Sequence, residues 1–195
     1  MIVPSAFGVA PDLLAQMADL ADTARLVVTF DPFFRDDPGP VPYDAMARVL
    51  GRLQRLDRAR LTEDLHATLA AARAEAGGRV VVVGVCFGGP FALAAAADGL
   101  VDGVVTWHGT RLEDHLARAA GVRCPARLHF GGADPFVPMS AVERVRAAFA
   151  GHPDTRVVVH AGATHGFTHR DAPQAYDAVA ERAAMDAVRE LARGA

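Results

Sequence analysis

The 195-residue chain contains no lysine and no asparagine, and all 20 of its basic residues are arginine. Together with the abundance of alanine, this reads as a composition bias of the source genome rather than a functional signal. Cysteine is almost missing. Cys86 and Cys124 are too few for a disulfide scaffold and suit a reducing compartment. No apolar run approaches the roughly 20 residues that a membrane span requires. The opening Met1-Ile2-Val3-Pro4 lacks the basic and apolar regions of a signal peptide. The expected location is therefore the cytoplasm, with no membrane partner. A basic stretch is also absent, and the formal charge is −3, which argues against nucleic acid as a partner. What remains is 51% hydrophobic and 22% charged, a composition that folds. The length suits one domain over residues 1–195.

Short apolar runs alternate with helical patterns. Strands are expected at Met1–Val3, Leu26–Phe30, Val80–Val83, Val104–Trp107, Arg127–Phe130 and Val157–His160. The all-valine run is apolar on both faces, as a buried parallel strand requires. Helices are expected at Pro11–Leu20, Tyr43–Leu56, Leu61–Ala76, Pro90–Ala97, Ser140–Phe149 and Ala175–Arg193, with Gly77-Gly78 stopping the third. Repeated β-α-β units imply an α/β fold, a mostly parallel sheet between two helical layers. The Asp- and Pro-rich segment 31–42 reads as a surface loop near the site.

The chemistry-bearing segment follows the valine strand. Gly84-Val85-Cys86-Phe87-Gly88-Gly89 is a nucleophile elbow, G-x-nucleophile-x-G, with cysteine as the nucleophile. A tight strand-to-helix turn leaves no room for side chains two residues either side of it, and Gly84 and Gly88 supply none. A helix N-terminus also favours a thiolate. A dinucleotide fingerprint would need glycine where Cys86 stands, for backbone approach to pyrophosphate. A cysteine hydrolase needs a histidine base and usually an acid that orients it. Asp134, after Phe130-Gly131-Gly132-Ala133, and His165, in Ala163-Thr164-His165-Gly166-Phe167, both fall after strand ends, where open α/β sheets bind ligands. His160 is the rival base. His129 reads as a core residue. No histidine pair has zinc-ligand spacing.

These segments, in this order, resemble the dienelactone hydrolase family of the α/β-hydrolase superfamily. The likeness runs through Pro4-Ser5-Ala6-Phe7-Gly8-Val9, Phe30-Asp31-Pro32-Phe33-Phe34-Arg35, the cysteine elbow, Gly131-Gly132-Ala133-Asp134-Pro135-Phe136-Val137-Pro138 and His165-Gly166-Phe167. It implies a three-layer sandwich whose sheet of about six strands has the order 2-1-3-4-5-6, here starting without the strands that relatives carry upstream. It implies Cys86 as nucleophile, His165 as base, Asp134 as orienting acid, and an oxyanion hole from the N–H groups of Ala6 and Phe87. The reaction implied is hydrolysis of a small ester or lactone through a thioester, without metal or cofactor, in a monomer or homodimer. A thioesterase, a general carboxylesterase and a weakly catalytic ligand-binding member are the alternatives. Ser5 stands where relatives carry an acidic residue that takes part in activating the thiol. The pocket candidates are Ser5, Phe7, Arg35, Trp107, His108, Arg111, Phe136 and Arg170, the arginines being suited to a substrate carboxylate.

Overall fold

Two blocks of apolar residues, one on each side of a single sheet, organise the chain. The computed structural model describes residues 1–194. The strands are β1 (Ile2–Val3), β2 (Val81–Val85), β3 (Gly103–Trp107), β4 (Ala126–Gly131) and β5 (Thr155–His160). All pair in parallel, in the order β1-β2-β3-β4-β5. The helices are α1 (Pro11–Leu20), α2 (Met46–Arg55), α3 (Arg58–Ala76), α4 (Gly89–Ala97), α5 (Met139–Ala148) and α6 (Ala178–Arg193). A 3-10 segment, Leu112–Gly121, lies in the connection from β3 to β4.

The period-two alternation of the strands sorts side chains between the layers. Val82, Val104, Leu128 and Phe130 pack into one apolar layer with residues of α2, α3, α4 and α5. Val81, Val83, Val85, Val105 and Trp107 pack into the other with α1 and α6. β2 is therefore buried along its whole length, which is why it carries valine at every position except Gly84. Among the described residues no helix is long and apolar enough to cross a membrane.

The three-layer architecture is the expected one, with one strand fewer. Leu26–Phe30 does not form a strand. It lies at the outer edge beside β1, where Thr29 bridges Ile2 and the Ile2 N–H donates to Val28 O. Its place matches the expected order 2-1-3-4-5-6, but β1 is two residues long and is followed by Pro4, which has no N–H to give. So short an edge offers too few backbone groups to extend a ladder.

Helix starts also moved, because caps decide them. The Asp57 carboxylate accepts from the Ala59 and Arg60 N–H groups and starts α3 three residues early. Asp177 does the same for Val179 and Ala180 and starts α6 three residues late.

Candidate active site

The strand register brings the functional loops together. Val85 at the end of β2 pairs with Trp107 at the end of β3, and Trp107 pairs with His129 on β4. Cys86 and His108 therefore leave the sheet side by side at its carboxyl edge. Both do so with positive φ, 53° and 40°, a strained conformation for residues with a Cβ. Cys86 opens a 3-10 turn, Cys86–Gly88, that runs into α4. The glycines around it answer to close contacts. A Cβ on Gly84 would lie 2.6 Å from Gly88 O and 2.7 Å from Gly89 Cα, and one on Gly88 would lie 2.6 Å from Val3 O. Gly84 thus permits the elbow, and Gly88 lets it pack against the end of β1.

Asp134 and His165 are carried by two loops tied to each other. Gly132 N–H donates to His160 O, and Ala133 N–H donates to Ala163 O. Gly131 allows the approach, since a Cβ there would meet Ala163 O at 2.5 Å. The Asp134 side chain is buried. Its Oδ1 accepts from the Phe136 N–H at 2.8 Å, and its Oδ2 lies 2.7 Å from His165 Nδ1. His165 Nε2 lies 3.2 Å from Cys86 Sγ. The three side chains form one hydrogen-bonded line. Burial works against a charge on His165, but the neighbouring Cys86 and the hydrogen bond that the Asp134 carboxylate accepts outweigh it and raise its pKa to about 10.

The remaining sequence-predicted residues divide clearly. Phe136 is 62% exposed and presents its ring edge-on to His165, 5.1 Å between centroids. Ala6 is buried, and its carbonyl accepts from Arg52. Phe87 lies in the turn after Cys86, its ring against Phe33 and Phe91. Ser5 is buried, and its Oγ accepts from the Phe7 N–H at 3.3 Å. Phe7 packs on Tyr43 and His169. Trp107 is fully buried in the α6-side layer, its indole N–H donating to Ala184 O. The arginines are all engaged by carboxylates: Arg35 by Asp64 in a bidentate pair, Arg111 by Asp114, and Arg170 by Glu181 and Asp19. His160, the rival base, stacks on His129 with His129 Nδ1 3.0 Å from His160 Nε2.

The pocket candidate His108 and two residues that sequence reasoning left aside, His169 and Arg52, also belong to this neighbourhood. His169 packs on His108 and Tyr43. Its Nδ1 lies 3.0 Å from the Tyr43 hydroxyl, which donates to the buried Asp12 carboxylate. Burial, with the charge of His165 adding to it, lowers the His169 pKa to about 3. Burial likewise holds His108 well below the ordinary histidine range. Arg52 is buried to 1% exposure over the Phe33 ring. It donates to the carbonyls of Ala6, Asp37 and Gly39 and so fastens the 31–42 loop to the Ala6 turn. Its position on the buried stripe of α2, three residues after Val49, is a readable signal. No spacing signal marks His169, whose partner Tyr43 lies 126 residues away.

A family model for the dienelactone hydrolase family matches residues 1–193. The chain belongs to the dienelactone hydrolase family. A carboxymethylenebutenolidase of Pseudomonas putida is 32% identical over 197 residues, covering 98% of this chain and 82% of that protein. A carboxymethylenebutenolidase of Cupriavidus pinatubonensis is 28% identical over 148 residues, 72% of this chain and 63% of its own. Among solved structures, a putative dienelactone hydrolase from Klebsiella pneumoniae superposes with a TM-score of 0.85 at 21% identity, covering all of this chain and 85% of that one, which establishes the dienelactone hydrolase fold. A dienelactone hydrolase-like promiscuous phosphotriesterase from metagenomic libraries superposes with a TM-score of 0.78 at 25% identity, covering 99% and 84%.

Proposed function

We propose that this dienelactone hydrolase family member hydrolyses small esters or lactones with Cys86 as nucleophile, His165 as general base and acid, and Asp134 as the group that orients His165. The observation that carries the reading is the line Cys86 Sγ to His165 Nε2, 3.2 Å, and His165 Nδ1 to Asp134 Oδ2, 2.7 Å. The family, and relatives named carboxymethylenebutenolidases, support an ester- or lactone-cleaving chemistry.

The steps follow from the geometry. With the Asp134 carboxylate accepting from Nδ1–H, His165 Nε2 is the nitrogen that takes the thiol proton. The Cys86 thiolate adds to the substrate carbonyl carbon, and the electron pair of the C=O bond moves to oxygen. The N–H groups of Ala6 and Phe87 hold that oxyanion, each such donor being worth about 2.7–4 kcal/mol in enzymes where it has been removed. Collapse expels the alkoxide, which takes the proton from His165 Nε2, and leaves an acyl thioester on Cys86. Water, losing its proton to the same nitrogen, adds to the thioester. The acid departs, and the proton returns to sulfur.

The surroundings favour an uncharged acyl group. Each candidate arginine is neutralised by its own carboxylate, and the two buried histidines beside His165 are held neutral. Arg35 and Arg170 therefore offer a substrate carboxylate no free guanidinium edge, and Arg111 is an exposed side chain that Asp114 holds through Nε alone. The test is turnover of p-nitrophenyl acetate, an acyl thioester and an unsaturated lactone with and without a carboxylate. Cys86-dependent turnover with the neutral lactone preferred is expected. A preference of tenfold or more for the carboxylate-bearing lactone would contradict the assignment of substrate charge.

A further inference from the structure

His108 has no part in the proposed reaction, yet it is fully buried against it. Its ring meets the His165 ring edge-on at 4.9 Å. One ring nitrogen of His108, one of His165 and Cys86 Sγ all lie within 4.8 Å of one another. Each histidine has its other side secured. Asp134 Oδ2 holds His165 Nδ1, and Thr168 Oγ1 lies 2.9 Å from His108 Nε2. His108 Nδ1 is buried and has no hydrogen-bond partner. A thiolate and two imidazoles, each imidazole fixed through its far nitrogen by a carboxylate or hydroxyl, make a donor set and an outer shell suited to Zn2+.

From this arrangement we infer that Cys86, His108 and His165 form a binding site for a thiophilic divalent cation such as Zn2+, and that the bound ion blocks the nucleophile. Tetrahedral zinc with ordinary Zn–S and Zn–N bonds needs its ligand atoms about 3.3–3.6 Å apart. The Cys86–His165 pair stands at 3.2 Å and the pairs with His108 within 4.8 Å, so a shift of His108 by at most about 1.5 Å closes the triangle. On binding, Zn2+ takes the place of the proton shared by Cys86 Sγ and His165 Nε2, and that proton leaves to solvent. Sulfur then spends its lone pair on the metal and no longer attacks a carbonyl. The chain supplies three ligands, which leaves the fourth position to water. The three ligands come from separate loops, after β2, β3 and β5, so no sequence spacing announces them.

The site shares two residues with the proposed reaction but is tested without an ester. The purified chain is treated with Zn2+ alone, and iodoacetamide labelling of Cys86 is followed by mass spectrometry, with Cys124, outside the cluster, as reference thiol. Co2+ binding is followed by its thiolate charge-transfer and d–d absorption. The expected result is at least tenfold slower labelling of Cys86, reversal by a chelator, no effect on Cys124, and a 1:1 four-coordinate cobalt spectrum. His108→Phe, which keeps the aromatic packing, should lose the protection. Thr168→Val should weaken it about tenfold, as loss of an outer-shell partner does. No protection in the native chain overturns the inference, as does equal protection in folded His108→Phe. If circular dichroism shows that His108→Phe fails to fold, unweakened binding in Thr168→Val overturns it instead. Ester turnover independent of Cys86 would overturn the proposed reaction and leave these readouts standing.

Discussion

Replacing Asp134 by Asn tests the geometry more sharply than deleting the residue, because the structure decides which way the amide must face. Asp134 Oδ1 accepts from the Phe136 N–H at 2.8 Å, and Oδ2 accepts from His165 Nδ1. An asparagine has only one oxygen. Placed toward Phe136, it keeps the backbone hydrogen bond and turns its NH2 group to His165. His165 Nδ1 must then be the unprotonated nitrogen, and Nε2 carries the hydrogen. That tautomer cannot take a proton from Cys86. The opposite orientation restores the tautomer but sets an amide NH2 against the Phe136 N–H. It strands a buried donor at about 1–3 kcal/mol, which leaves about one molecule in 5 to one in 150 competent. Loss of the charge-assisted bond to His165 removes a further 1.5–3 kcal/mol or so. Together these lower kcat/KM by about 10²–10⁴. The His165 pKa, now about 10, should fall, since one of the groups raising it has gone. The assay is kcat/KM for p-nitrophenyl acetate beside the pH profile of Cys86 alkylation. Activity within fivefold of the native chain, with an unchanged alkylation profile, would refute the reasoning.

Acid should weaken the fold through its buried neutral histidines. His129 and His169 are held at about 3 by burial, with neighbouring cationic groups adding to it. The same side chains titrate near 6.5 when unfolded, so their contribution is complete above about pH 6.5 and is lost as pH falls toward 3, by up to about 1.4 kcal/mol per pH unit for each. Urea midpoints at pH 7 and pH 5 measure this, and an unshifted midpoint would contradict it. His165 acts in the opposite sense: its contribution is present below about 6.5 and is lost as pH rises through about 10. Arg52→Met should destabilise by about 2–4 kcal/mol, since it leaves carbonyls of Ala6 and Gly39 without their donor. It should also lower kcat through the loosened Ala6 turn, and a drop in melting temperature with kcat untouched would separate Arg52 from the proposed oxyanion donor at Ala6.

The parts of the site legible in the sequence are those that backbone geometry forces. Gly84 and Gly88 stand where a Cβ would strike main-chain atoms, and Gly131 stands where two loops touch. Gly84 answers to atoms of its own turn, whereas Gly88 and Gly131 answer to Val3 and Ala163, distant in sequence, and are marked only by the glycine-rich runs they stand in. The parts that were illegible depend on contacts between loops. His108 read as a pocket candidate at a strand end beside the elbow, but its contacts with His165, Thr168 and His169 could not be read from spacing. Arg35 and Arg170 read as substrate ligands because Asp64, Glu181 and Asp19 cannot be matched to them by spacing alone, whereas the Arg111–Asp114 pair, three residues apart, was open to reading. The missing strand at Leu26–Phe30 has a local apolar pattern adequate for a strand. It lacks only an edge long enough to pair with.

The central claim is that Cys86 forms a covalent acyl intermediate. Rapid quenching of the chain with p-nitrophenyl acetate, followed by intact-mass and peptide mass spectrometry of native and Cys86→Ala protein, tests it directly. The expected result is an acetyl adduct on the Cys86 peptide that disappears on hydrolysis, and no adduct or turnover in Cys86→Ala. Undiminished turnover in Cys86→Ala, or an adduct on another residue with Cys86 left free, would contradict it.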